Sequence, residues 1–123
     1  MEIKKEDIQE KVMSEISKAE KEILATMDIT EEQHSPLPRE YFSLLERKIK
    51  EGIKVRRIIF GSKKFKDNKL FSGKCAKSKN YKRMLMIDGI KLFFRKKTNG
   101  KEKFYFTTDE RYIKKYKNYF NKA

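Results

Sequence analysis

Tyr81-Lys82-Arg83-Met84-Leu85-Met86-Ile87-Asp88-Gly89-Ile90-Lys91-Leu92-Phe93-Phe94 reads as an apolar strand, a tight turn and a second apolar strand. Asp-Gly between two apolar runs is a strong hairpin signal, because both residue types tolerate the positive φ that a tight turn demands. Working downstream, strands are expected over 82–88, 90–96 and 102–107, the last two joined through Thr98-Asn99-Gly100-Lys101. Thr107-Thr108-Asp109-Glu110 has the form of a capping box from Thr107 to Glu110. Behind it Tyr112, Ile113, Tyr116, Tyr119 and Phe120 fall on one helical face, the pattern of core packing.

Upstream of the hairpin, Ile23-Leu24-Ala25-Thr26-Met27-Asp28-Ile29 reads as a buried strand. A loop over 30–38 follows, then a helix starting at Pro38, carrying Tyr41, Leu44, Leu45, Lys48 and Ile49, and stopping at Gly52. Ile53-Lys54-Val55-Arg56-Arg57-Ile58-Ile59-Phe60 is a second strand. Strand, helix and strand make a βαβ unit with parallel strands. Before it, Ile8, Val12, Ile16, Ala19 and Ile23 recur at helical spacing, so a helix is expected to end near Glu20 or Lys21. Residues 61–80 hold seven lysines and one acidic residue and read as a long surface loop. The fold class is therefore α/β: one domain over 1–123, a mixed sheet of about five strands with a parallel βαβ unit and hairpins, covered by three helices.

The 123 residues allow one modest core. A mean hydropathy of −0.88 is low, but 12% aromatic content and clean periodicity argue for a folded chain. The net charge of +14 is uneven: residues 1–52 carry 9 Lys/Arg against 13 Asp/Glu, and 53–123 carry 23 against 5. Such asymmetry points to a polyanion-facing side or an acidic partner. No apolar run reaches the length of a transmembrane segment, and the amino terminus has no signal-like core, so a cytoplasmic protein is expected.

Cys75 and His34 are each the single residue of their type. That excludes an intrachain disulfide, a cysteine-based zinc site and any mechanism needing two histidines from one chain. No glycine-rich phosphate cradle is present. No metal and no cofactor is expected. Asp28 and Asp88 can meet at one sheet edge as a carboxylate pair, although each also suits a plain structural place, at a strand end and in a turn. Lys63, Lys64, Lys66 and Lys69, with Lys74, Lys77, Lys79, Lys82 and Arg83 following and Phe65, Phe71 and Tyr81 interleaved, form a candidate anion or nucleic-acid contact: lysines neutralise phosphates and aromatics stack on bases.

The order helix, strand, loop, helix ending in Gly52-Ile53-Lys54-Val55-Arg56, and strand, with Ile16, Ala19, Ile23 and Leu45 in the helices and strand, resembles one half of the phospholipase D superfamily. The closing helix from Tyr112 to Phe120 is similar too. That family's H-x-K-x4-D signature falls on Tyr81-Lys82-Arg83-Met84-Leu85-Met86-Ile87-Asp88. Tyr81 then takes the place of the nucleophilic histidine, Arg83 that of the lysine and Asp88 that of the aspartate. The resemblance implies a catalytically inactive member, similar to the effector-binding domains of TrmB-type transcriptional regulators. It implies a ligand site at Tyr81, Lys82, Arg83 and Asp88 for a phosphate-bearing or other anionic ligand, and a homodimer with the Arg83 sites facing each other. Two competing readings are a phosphodiesterase or nuclease with a variant motif, and a basic module binding DNA, RNA or an anionic membrane surface.

Overall fold

The computed structural model describes residues 1–28, 38–61, 74–77 and 79–123. Its elements are β1 (Glu2–Ile3), α1 (Ile8–Ser17), β2 (Glu22–Asp28), α2 (Arg39–Lys50), β3 (Lys54–Phe60), β4 (Lys74–Cys75), β5 (Met84–Ile87), β6 (Lys91–Thr98), β7 (Lys101–Thr107) and α3 (Glu110–Lys122). They build one mixed sheet in the order β1-β7-β6-β5-β2-β3-β4. β2, β3 and β4 are parallel, and every other pairing is antiparallel.

The expected βαβ unit is present as β2, α2 and β3. Among the described residues the sheet has seven strands rather than about five. The two extra strands are two residues each: β1 pairs with β7, and β4, inside the stretch expected to be loop, pairs with β3. Two residues are too few to show a period of two.

β2 and β5 lie at the centre of the sheet and are covered on both faces. Their sequences are accordingly apolar runs rather than alternations, with Ile23 to Met27 and Met84 to Ile87 all buried. On one face Ile23, Ala25, Leu85, Ile87 and Phe93 pack with α1 and α2. On the other, Leu24, Met86, Leu92 and Phe94 pack with Ile113, Tyr116 and Phe120 of α3. Of the stripe expected on α3, Ile113, Tyr116 and Phe120 are thus core, Tyr119 is half-buried and Tyr112 is exposed.

Both hairpin turns form. Asp88 and Gly89 have φ of 56° and 67°, and Asn99 and Gly100 have φ of 52° and 77°, left-handed values that suit these residue types. The Ile90 N–H donates to the Ile87 carbonyl at 3.1 Å. Pairing resumes at Ile87 opposite Lys91, leaving Ile90 outside the ladder.

Several element boundaries differ from expectation. α2 starts at Arg39, with Pro38 extended as its cap, β5 is shorter than 82–88 at both ends, and β6 runs on to Thr98. α1 stops at Ser17 instead of Glu20 or Lys21, because the N–H groups of Glu20, Lys21 and Glu22 donate to the Asp88 carboxylate. Donors engaged there cannot continue the helix. The cap of α3 is Asp109, whose carboxylate accepts from the Arg111 N–H at 2.9 Å. Thr107 is still paired with Leu92 in the ladder and instead accepts from the Asp109 N–H at 3.0 Å.

Candidate anion-binding site

The site begins where β2 and β5 part. Their ladder runs Ile23–Ile87, Leu24–Met86 and Ala25–Leu85, and ends there. At the next position a side chain replaces the backbone rung. The Thr26 hydroxyl accepts from the Met84 N–H at 3.0 Å and donates to the Lys82 carbonyl at 2.7 Å. One residue further out, the Tyr119 hydroxyl of α3 donates to the Asn80 carbonyl at 2.6 Å and accepts from the Lys82 N–H at 2.8 Å. Burial raises the Tyr119 phenol above its usual pKa, with the Lys82 amide opposing, so this hydroxyl keeps its proton and its donor role. Two hydroxyls therefore hold Asn80–Arg83 against the sheet. The Tyr81 ring leans on Phe60, centroids 5.2 Å apart, and the Arg95 guanidinium lies over it at 5.5 Å.

Tyr81 and Arg83 then line a cavity of about 390 Å³ on the α1 side of the sheet. Arg57 reaches it from β3, Arg95 and Lys97 from β6, and Lys5 from the approach to α1. Against these five cationic side chains stand two carboxylates, Asp28 and Glu102. Glu102 pairs with Arg95 at 3.4 Å and with Lys97 at 3.7 Å. The Arg95 side chain is only 8% exposed. Burial pulls the Arg57 guanidinium below its usual pKa, with Tyr41 and Glu46 opposing. An arginine stays charged regardless, so the cavity holds a partly desolvated positive charge that an anion would stabilise.

The structure thus brings Tyr81 and Arg83 together but leaves Lys82 and Asp88 out of the cavity. The Lys82 ammonium lies over the Tyr119 ring at 5.3 Å, towards α3. Asp88 is at the opposite end of β2 from Asp28. The seven residues of β2 span ~20 Å at about 3.3 Å per residue, so the two carboxylates make no pair. The structural alternative for Asp88 is the one observed, with its carboxylate bonded to three main-chain amides. Lys63, Lys64, Lys66, Lys69 and His34 lie outside the described residues. Among the described residues, no group of three or more His, Cys, Asp or Glu side chains can hold a metal ion.

Sequence reasoning missed Arg57 and Arg95. The signal was strand parity: Arg57 shares a face with Val55 and Ile59, and Arg95 with Phe93, so both point to the core side among apolar neighbours.

No family model and no curated protein matches the chain. Solved structures similar to the chain include the following two. NucT from Helicobacter pylori superposes with a TM-score of 0.64 at 20% identity, over 95% of this chain and 87% of that one. TrmBL2, described as an archaeal chromatin protein with a novel mode of DNA binding, superposes with a TM-score of 0.65 at 14% identity. That match covers 98% of this chain and 47% of TrmBL2, so the chain spans about half of its length. At such identities the likeness is one of fold, and it is consistent with the phospholipase D-like and TrmB-like architecture that the sequence resembles.

Proposed function

We propose that the chain is a ligand-binding module on a phospholipase D-like fold, without hydrolytic activity, that takes up a phosphate-bearing or similar anion as the sensing part of a transcriptional regulator. One observation carries this reading: Arg57, Arg83 and Arg95, from three separate strands or strand ends, converge on one cavity beside Tyr81. Guanidinium groups present fixed donor forks that match phosphate oxygens. A tyrosine is a poor substitute for a histidine nucleophile, because its pKa near 10 leaves little phenolate at neutral pH. The fold of TrmBL2, a protein described as binding DNA, agrees with a regulatory setting.

Calorimetric titration with phosphate and phosphate monoesters tests the proposal. Binding is expected to weaken about 10-fold to 100-fold in Arg83→Ala, the range for losing a charge-assisted hydrogen bond. Unchanged affinity removes the cavity from the reading. Turnover of bis(nitrophenyl) phosphate that disappears in Tyr81→Phe overturns the non-catalytic part. A homodimer with facing Arg83 sites belongs to the same proposal, and sedimentation equilibrium showing only monomer would reject that element alone.

A second reading, a nucleic-acid contact on the α3 side, has its own observation. Lys96 and Lys103 stand directly opposite in the β6–β7 ladder, where like charges destabilise a sheet. Arg111, Lys114, Lys115, Lys117 and Lys122 are exposed on α3 nearby. A polyanion laid on this face would relieve the repulsion.

A further inference from the structure

The cavity is chemically divided. Its arginines and Lys97 come from the strands and the strand ends, whereas α1 contributes Ile8, Val12 and Met13 beside Gln9, with Lys5 on its approach, over a floor that includes Ala25, Phe93 and Phe104. Ile8, Val12, Met13 and Phe104 pack on the core yet are only half-buried, so part of their apolar surface faces the cavity. The spacing of Ile8, Val12 and Met13 along α1 sets these three in one stripe. The volume of about 390 Å³ falls within the roughly 300–1,000 Å³ typical of pockets for small organic ligands. An inorganic anion of a few atoms would fill a fraction of it and leave the α1 stripe wetted.

Resting on the anion reading above, we infer that the ligand is an amphipathic organic phosphate: a charged head held by Arg57, Arg83 and Arg95, and a short apolar arm laid against Ile8, Val12 and Met13. The inferred ligand is a free molecule rather than a lipid standing in a bilayer.

The test is calorimetry on the full chain with inorganic phosphate and then methyl, butyl and hexyl phosphate as monomers. Each added methylene is expected to tighten binding by about threefold to fourfold, the effect of burying one such group, until the cavity is full. Met13→Trp, which fills part of the chamber, should bring that plateau to a shorter chain. Arg83→Ala should weaken every member by a common factor and leave the chain-length slope intact. If inorganic phosphate binds and the series is flat, the apolar arm is refuted and the anion site stands. If no phosphate binds at all, the anion reading fails and this inference fails with it. Binding to phosphatidate vesicles without binding to hexyl phosphate would place the ligand in a bilayer and overturn the free-molecule inference.

Discussion

Asp88 has one of the most informative side chains in the fold. It holds a left-handed φ of 56° at the hairpin turn, and its carboxylate accepts from the N–H groups of Glu20 at 3.0 Å, Lys21 at 2.7 Å and Glu22 at 3.0 Å. It thereby ends α1, starts β2 and fixes the turn between β5 and β6. Burial would raise its pKa, but the three amides and the nearby Lys21 charge outweigh burial, and the carboxyl titrates below its usual 3.8. A depressed carboxylate contributes stability above the unfolded-state pKa and loses it as pH falls through the folded-state value. Asp88→Asn, which still tolerates the left-handed backbone, should cost about 1 kcal/mol in urea unfolding at pH 7, and Asp88→Ala about 2–3 kcal/mol. Both variants should show a shallower stability loss than the parent below about pH 4. An equal acid limb in all three proteins would rule out this role. The sequence showed the turn at Asp88 but not its bonds, because their partners lie 66 to 68 positions away.

At the level of elements, the site depends on how a short segment is hung between two secondary structures. Thr26 on β2 and Tyr119 on α3 each bond the backbone of Asn80 to Met84 twice. Thr26→Val keeps the shape of the side chain but strands the buried Met84 N–H, at a cost of about 1–3 kcal/mol. Tyr119→Phe frees Lys82 and Asn80, which are nearer solvent, at a cost of about 0.5–1.5 kcal/mol. Because both hold one segment, the double variant should deviate from additivity by 0.5 kcal/mol or more, on the order expected for coupled neighbours. Both should also weaken phosphate binding through Arg83 while leaving the far-ultraviolet spectrum unchanged. Strict additivity would mean that the segment is positioned by something else. The central strands were readable from the chain, since Ile23 to Met27 is apolar but for Thr26 and Met84 to Ile87 is an unbroken apolar run. The convergence of Arg57, Arg83 and Arg95 was not, because it follows from strand order: β5 inserts between β2 and β6, and β3 flanks β2.

For the molecule as a whole, the two faces of the sheet divide two kinds of charge. The α1 side gathers a few half-buried arginines around a cavity. The α3 side spreads lysines over an open surface, and residues 53–123 hold 23 Lys/Arg against 5 Asp/Glu. The Lys96 ammonium rests over the rings of Phe94 and Tyr105 at 5.9 and 5.6 Å, while Lys103 opposes it across the ladder. A like-charge pair in a ladder works against folding, so stability and polyanion binding pull on Lys103 in opposite directions. Lys103→Glu should convert the repulsion into a cross-strand ion pair and stabilise the fold by about 0.2–1 kcal/mol. The same change should weaken DNA binding and flatten the plot of log affinity against log salt by about 0.9 for each phosphate that is no longer neutralised. Arg83→Ala, on the other face, should leave that slope unchanged. A Lys103→Glu variant that is more stable yet binds DNA with the parent's salt dependence would take the α3 face out of the nucleic-acid reading, and Lys63, Lys64, Lys66 and Lys69 would then be the residues to reverse next.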